Sequence, residues 1–187
     1  CKGLTSDNWE IDASNSSQII SAIVLIAPLI SGNTHINLIN GTVSRPFVNM
    51  TLEMMKEFAQ EISGNLIISD DRYEIPCFQY QLTQNEYQIE PDATAASYFL
   101  SLPIAIGGDI HINGIQNCKL QGDIEFCKII SKCALSLSKT DNGIEVSFID
   151  HINGGNFDFN DISDTFLTLA ALSPLLDSPL KIYGIAH

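Results

Sequence analysis

The stretch DASNSSQIISAIVLIAPLI, residues 12–30, decides the fold because the chain repeats its pattern. It begins with an acidic residue, continues with small polar residues, and ends with about four turns of apolar residues that predict a buried helix. A second copy, DATAASYFLSLPIAI, begins at Asp92, and a more divergent third copy, DFNDISDTFLTLAALSPLL, begins at Asp158. The three copies predict a molecule built from repeated units.

An alternating segment follows each copy and predicts a half-buried strand. These segments are THINLI from Thr34, DIHINGI from Asp109 and LKIYGI from Leu180. The first two copies continue into a second helix, predicted over RPFVNMTLEMMKEFAQEI and GDIEFCKIISKCALSL, and then into NLIIS from Asn65 and GIEVSF from Gly143. The pattern therefore predicts an α/β (α+β) fold with a strand–helix–strand–helix–strand unit of about 70 to 80 residues.

The segment IEPDA, residues 89–93, joins the first copy to the second. Pro91 favours an extended conformation for the residue before it, which suits either an ordinary loop or a hinge. We expect two lobes, with residues 1–89 in one and residues 90–187 in the other. Because the third copy is cut off at His187, we expect the chain to be a segment of a longer protein.

Composition and charge narrow the function classes. The 187 residues are 45% hydrophobic and 17% charged, which is typical of a globular protein with a sizeable core. The net charge of −13 argues against nucleic acid and against an anionic membrane surface as partners. The four histidines lack metal-ligand spacing, and the five cysteines, which form no CxxC pair, are interpreted as reduced thiols of a cytoplasmic protein.

Small polar side chains crowd the start of the first predicted helix. Only one of them can be the N-cap. If Ser14 or Asn15 caps the helix, then Ser16, Ser17 and Gln18 lie on the first turn, at the positive end of the helix dipole. Hydroxyls and free backbone N–H groups at such an end form an anion site, so the pattern is compatible with phosphate binding as well as with simple capping.

The segment VSRPF, residues 43–47, ends the alternating segment and begins the second helix. Pro46 is suited to the first helical turn. Ser44 is then either the cap or a further hydroxyl facing the same ligand as the first cluster. Arg45 could pair with an anion, although a solvent-exposed position is the expectation.

Asp164 stands at the head of the third apolar helix, where its place in the repeat matches Gln18 and Tyr98. A carboxylate in a first turn interacts favourably with the positive end of the helix dipole, so Asp164 could simply stabilise the helix start. The alternative is a general base. For Asp92, at the head of the second copy, capping is the favoured interpretation.

Five ordered segments resemble those of the EPSP synthase (3-phosphoshikimate 1-carboxyvinyltransferase) family of enolpyruvyl transferases. They are SSQIISAIVLIAPL, VSRPFVNMTLEMMKEF, EPDATAASYFLSLPIAIGG, LQGDIEF and SDTFLTLAALSPLL, and the resemblance extends from Trp9 to His187. It implies two lobes, each made of three βαβαββ-like units, with helix N-termini that face the cleft between the lobes. This chain would hold the late part of the first lobe and the early part of the second.

The resemblance also implies an activity and a site. The family transfers the enolpyruvyl group of phosphoenolpyruvate to the 5-hydroxyl of shikimate 3-phosphate, needs no metal or organic cofactor, and is taken to be monomeric at full length. Ser16, Ser17 and Ser44 match serines that hold the shikimate phosphate. Gln18 matches a glutamine that touches both substrates, and Asp164 matches an aspartate that binds the shikimate hydroxyls and accepts a proton.

The chain departs from the family pattern at two residues. Phe47 stands where many members have tyrosine, and His187 stands where some have asparagine. The chain has nine Lys and Arg residues, whereas a site for two polyanions needs several cations. We therefore expect the cations that hold phosphoenolpyruvate to lie outside this chain, and the isolated chain to be inactive.

Two alternatives remain at this stage. UDP-N-acetylglucosamine enolpyruvyl transferase has the same fold but carries a reactive cysteine in a Gly-rich loop, a setting that none of the five cysteines has. A non-catalytic binding module of the same fold is the other alternative. The presence of Gln18 together with Asp164 argues against it.

Overall fold

A computed structural model describes residues 4–5, 8–59, 66–82, 85–133 and 135–186. The contacts divide the chain into two compact units, Cys1–Tyr87 (unit 1) and Gln88–Ala186 (unit 2), each with its own hydrophobic core. The division falls close to the boundary expected at residues 89 and 90. The assignment of the two parts to the late first lobe and the early second lobe stays a prediction.

Unit 1 is one βαβαββ unit. Its elements are β1 (Asn8–Ala13), α1 (Ser17–Ile26), β2 (Thr34–Thr42), α2 (Arg45–Glu57), β3 (Ile67–Ile68) and β4 (Arg72–Ile75). The sheet order is β1-β2-β4-β3, and β1 pairs with β2 in parallel while the other pairs are antiparallel. The predicted repeat and the mixed α and β fold class are confirmed here.

The unit 1 core forms where the two helices cover one face of the sheet. The alternation of THINLI sends Thr34, Ile36 and Leu38 of β2 into this core. The helices contribute apolar residues at helical spacing, which are Ile20, Val24, Val48, Leu52 and Met55. Each such side chain contributes roughly 1.5 to 3 kcal/mol when it is removed from water, so the helices are held firmly on this face.

The register of β1 and β2 fixes where the helices begin. Ala13 lies opposite Thr42, and the Val43 N–H donates to the Ala13 carbonyl at 3.4 Å. Because paired parallel strands end at the same edge, the helices that follow them, α1 at Ser17 and α2 at Arg45, both start at this edge.

Unit 2 contains the second copy of the repeat and the start of the third. Its elements are α3 (Ala93–Ile106), β5 (Asp109–Asn113), α4 (Phe126–Cys133), β6 (Leu135–Lys139), β7 (Gly143–Phe148), β8 (Gly155–Asp158), α5 (Phe166–Leu172) and β9 (Leu180–Tyr183). An antiparallel sheet has the order β5-β7-β6, and β8 pairs with β9 in parallel. The core includes Leu100, Ile115, Phe126, Ile130, Phe159 and Leu169.

Several predicted boundaries were wrong. The helix predicted over GDIEFCKIISKCALSL ends at Cys133, and its last residues form β6, because Leu135 and Leu137 alternate with serines. The third apolar helix is short, with 3-10 turns on both sides, and its leading acid, Asp158, closes β8 instead. Helix α2 ends at Glu57 rather than at Ile62, which lies outside the described residues.

Within the described part of the chain, every helix is too short or too polar to cross a membrane. The four described cysteines are free thiols, as predicted, while Cys1 and His187 lie outside the described residues.

We expect the described thiols to differ in reactivity. Burial raises the pKa of Cys118, Cys127 and Cys133 to about 11, whereas Cys77 is exposed. Since the thiolate is the reactive form, iodoacetamide at pH 8 should modify these three at least about tenfold more slowly than Cys77. Peptide mapping by mass spectrometry after timed alkylation measures the rates. Equal rates for Cys118 and Cys77 would contradict the expectation.

Candidate functional site

The head of α1 is capped by Ser16. Its Oγ accepts a hydrogen bond from the Gln18 N–H at 3.2 Å, so the cap is Ser16 rather than Ser14 or Asn15, and Ser16 precedes the first turn instead of lying on it. Ser14 has another role, because its hydroxyl donates to Asp12 Oδ1 at 2.6 Å and its N–H donates to the same oxygen at 2.9 Å. Capping uses a lone pair of Ser16 Oγ and leaves its proton available to a ligand.

Asp12, the leading acid of the first copy, braces the loop in front of α1. Its second oxygen accepts from Asn40 Nδ2 at 3.0 Å, which ties this loop to the end of β2. The Ser14 hydroxyl, then the Ser14 N–H and then Asn40 hold the pKa of Asp12 below its usual range. Sequence analysis did not find this role, because the partner in β2 is distant in sequence.

The first turn of α1 contains the other two predicted residues. Ser17 is 5% exposed and Gln18 is exposed. The first turns of α1 and α2 carry no acidic side chain, so no carboxylate in either first turn opposes a bound anion.

Ser44 lies in front of α2 with a left-handed backbone, φ 49°, and is 9% exposed. This conformation is uncommon for a residue other than glycine and often occurs at functional sites. Pro46 lies in the first turn, as predicted, and is followed by Phe47. Ser44 does not cap α2 through its side chain, so the hydroxyl interpretation is favoured over the capping one.

Arg45 is not isolated in solvent, contrary to the expectation. It forms an ion pair with Asp70, and its Nη2 donates to the Ser69 carbonyl at 3.1 Å. The structure thus brings Ser16, Ser17, Gln18 and Ser44 to one edge of the unit 1 sheet, where two positive helix ends and several hydroxyl donors meet. Such an edge can hold an anion.

Unit 2 places Asp164 in a 3-10 turn, Ser163–Thr165, directly before α5. The Thr165 hydroxyl donates to the Ile162 carbonyl at 2.8 Å and braces the turn. Asp164 is exposed and makes no hydrogen bond or ion pair with a described residue. Its carboxylate can therefore accept a proton or a hydrogen bond from a ligand.

The predicted cap on α3 is confirmed, because Asp92 Oδ1 accepts from the Ala95 N–H at 2.8 Å. Its position corrects the alignment of the repeats. Since α3 begins at Ala93, Tyr98 lies in the second turn and not at the helix head. The residue that follows its cap as Gln18 follows Ser16 is Thr94.

The segments EPDA and LQGD interlock at this helix head. Glu90 Oε1 accepts from the Lys119 N–H at 2.8 Å. Gln121 donates to the Pro91 carbonyl at 2.7 Å and accepts from the Ala93 N–H at 2.8 Å. Pro91 is thus anchored within unit 2, which favours the loop interpretation of this segment over a hinge at Pro91 itself.

Asp123 also contacts the head of α3. Sequence analysis did not single it out, although it lies in the segment LQGDIEF. It is 4% exposed, and its Oδ2 accepts from the Thr94 hydroxyl. Burial raises the pKa of Asp123, the Thr94 hydrogen bond opposes this effect, and the nearby charges of Asp164 and Asp92 add to it. Unit 2 therefore gathers three carboxylates where unit 1 gathers hydroxyls.

The family model described as "EPSP synthase (3-phosphoshikimate 1-carboxyvinyltransferase)" matches residues 1–187. The 3-phosphoshikimate 1-carboxyvinyltransferase of Idiomarina loihiensis is 35% identical over 99% of this chain and 42% of its own length. The same enzyme of Opitutus terrae is 39% identical over 100% of this chain and 40% of its own length. The chain thus spans less than half of each relative.

Solved structures agree on the fold. The EPSP synthase from Acinetobacter baumannii superposes with a TM-score of 0.69 at 16% identity, covering 98% of this chain and 42% of that structure. The enolpyruvyl transferase NikO from Streptomyces tendae gives a TM-score of 0.61 at 11% identity, covering 97% and 46%. By sequence and by fold, the chain belongs to the EPSP synthase family.

Proposed function

We propose that this chain supplies part of the active site of an enzyme that transfers the enolpyruvyl group of phosphoenolpyruvate to the 5-hydroxyl of shikimate 3-phosphate. Membership of the family supports the reaction. The observation that carries the proposal is the shared edge in unit 1, where Ser17 begins α1 and Ser44 precedes α2. We further propose a cytoplasmic, monomeric full-length enzyme without a metal or organic cofactor.

The unit 1 edge suits the phosphate of shikimate 3-phosphate. A phosphate there accepts hydrogen bonds from the hydroxyls of Ser16, Ser17 and Ser44 and from the free N–H groups of the helix starts. Charge-assisted hydrogen bonds of this kind are about twice as strong as neutral ones. Gln18, exposed in the first turn of α1, can reach either substrate with its amide.

Asp164 suits the proton transfer. Its exposed carboxylate accepts the proton of the 5-hydroxyl as that oxygen bonds to the phosphate-bearing carbon, and the electrons of the carbon–carbon double bond take up a proton at the methylene carbon from a general acid of the full-length enzyme. The methylene carbon then loses a proton, the double bond re-forms, and the bond from the central carbon to the phosphate oxygen breaks. Phosphate leaves with its electron pair. We place the cations that offset the charge of phosphoenolpyruvate outside this chain, because nine Lys and Arg residues are few for two polyanions and Arg45, Arg72, Lys56 and Lys128 already form ion pairs.

The thiols argue against the UDP-N-acetylglucosamine enzyme. A cysteine that attacks a substrate needs an accessible thiolate. Burial raises the pKa of Cys118, Cys127 and Cys133, and the exposed Cys77 lies next to Pro76 rather than in a Gly-rich loop.

The direct test uses a full-length enzyme that contains this chain. We expect it to release inorganic phosphate from phosphoenolpyruvate when shikimate 3-phosphate is added, and not when UDP-N-acetylglucosamine is added. Phosphate is measured over time with purified, folded protein. A folded enzyme that releases none with shikimate 3-phosphate would overturn the proposal and favour the non-catalytic binding module.

We expect Ser17→Ala in that enzyme to weaken the binding of shikimate 3-phosphate by roughly 1 to 3 kcal/mol, the range for loss of one hydrogen bond to a charged group. Isothermal titration calorimetry measures the affinity. Ser21→Ala is the matched control, because Ser21 lies on the same helix one turn further from its start. An unchanged affinity of the Ser17 variant would contradict the phosphate-binding role of this residue.

A further inference from the structure

Buried hydrogen bonds link helix heads in unit 2. The Thr94 hydroxyl, at the head of α3, donates to Asp123 in the 3-10 turn that leads into α4. One turn along α3, the Ser97 hydroxyl donates to the Thr94 carbonyl at 2.7 Å and lies 3.0 Å from the hydroxyl of Thr168 in α5. Asp123, Ser97 and Thr168 are all at most 8% exposed.

The direction of each hydrogen bond follows from the number of protons. Ser97 has one hydroxyl proton, which it uses to donate a hydrogen bond to the Thr94 carbonyl oxygen. Thr168 must then donate to Ser97. The chain of hydrogen bonds therefore runs from α5 to α3 and joins Asp123 through Thr94, with every hydroxyl in a fixed orientation.

Asp164 lies close to this series of hydrogen bonds, in the turn directly before α5. It lies one helical turn before Thr168, and the Thr165 hydroxyl closes its turn on the Ile162 carbonyl. The turn also packs against α3. The Asp164 turn and Thr168 therefore lie on one continuous segment that packs against α3.

The charged groups that act on Asp123 from the packed elements are Asp164 and Asp92, and no described Lys or Arg forms an ion pair with any of the three. Oδ1 of Asp123 is buried and has no hydrogen-bond partner among the described residues. A buried carboxylate with one unpaired oxygen lowers the stability of the folded state, so a role other than stabilisation is favoured for Asp123.

We propose that Asp123 is a positioning residue for Asp164, which rests on the proposed function of Asp164 as proton acceptor. It acts through the Thr94–Ser97–Thr168 hydrogen bonds, which hold the Asp164 turn in place.

The test measures kcat and KM in the full-length enzyme. We expect Asp123→Asn to lower kcat by about 10- to 100-fold, as a small misplacement of a catalytic group does, with a smaller change in KM for shikimate 3-phosphate. Asp109→Asn, which changes an exposed residue of the same unit, is the control and should change neither kcat nor KM.

A second pair of variants avoids any change of buried charge. Thr168→Val removes the hydroxyl at nearly constant volume and should lower kcat about tenfold, while Thr168→Ser keeps the hydroxyl and should restore most of it. If Asp123→Asn does not fold, this pair decides. Variants that lower the melting temperature but leave kcat and KM unchanged would overturn the inference in an enzyme that remains active. An inactive but folded parent enzyme would overturn the proposed function and this inference together.

Discussion

Replacing Asp164 with alanine in the full-length enzyme is expected to lower kcat by about 100- to 10,000-fold, the usual loss when a general base is removed. The carboxylate is exposed, makes no hydrogen bond with a described residue, and lies on a turn braced by Thr165. Its removal therefore costs little packing. The loss of rate should come from the missing proton acceptor.

The division between kcat and KM separates a base from a binding group. KM for shikimate 3-phosphate should rise far less than kcat falls, because the proposed phosphate site at the serines of unit 1 is left unchanged. Asp161→Ala is the control, since Asp161 is an exposed carboxylate on the same loop and should leave turnover near normal. Near-normal turnover in the Asp164 variant would reduce this residue to a carboxylate that stabilises a helix start.

The sequence predicted correctly those elements that are marked by a regular spacing of apolar residues or by a characteristic residue at a helix start. Thr34, Ile36 and Leu38 alternate along β2, and Pro46 marks the start of α2, so both could be recognised from neighbouring residues. The misassigned segments are short. Strand β6 has only two alternating apolar residues, Leu135 and Leu137. Because an apolar helix precedes them, so short an alternation could not be distinguished from the end of that helix.

The site was predicted where one residue type in one place was enough. The cluster that contains Ser16 and Ser17 is unusual by itself, and its position before an apolar helix could be read directly. The roles of Asp12 and Asp123 depend instead on partners such as Asn40 and Thr94, which come near only after folding. No local pattern distinguishes such a carboxylate from a solvated one.

The two units present opposite chemistry at their helix heads. Unit 1 offers donors, namely the hydroxyls of Ser17 and Ser44 at two positive helix ends. Unit 2 offers acceptors, namely the carboxylates of Asp92, Asp123 and Asp164. Repeats with the same order of strands and helices thus suit two functions, anion binding and proton acceptance. An anion requires hydrogen-bond donors, whereas a hydroxyl that loses its proton requires an acceptor.

The isolated 187-residue chain is expected to show no synthase turnover. Its net charge of −13 repels both anionic substrates at long range, and four of its cations are already paired with carboxylates. Large apolar side chains are also exposed on α1, α3 and α5, among them Leu25, Phe99 and Leu167. Exposed apolar surface on several helices is unfavourable for a stable catalytic fold.

The assay mixes the purified chain with phosphoenolpyruvate and shikimate 3-phosphate and follows inorganic phosphate, with a full-length synthase as the positive control. Phosphate release should not exceed the rate without protein, and calorimetry should show weak or no binding of shikimate 3-phosphate. Turnover within about tenfold of the complete enzyme, a barrier difference of only about 1.4 kcal/mol, would contradict the expectation. The catalytic cations would then have to lie in this chain. Lys119 and Lys181, which form no ion pair with a described residue, would be the first to replace with methionine, because each could turn toward a bound phosphate without breaking an existing pair.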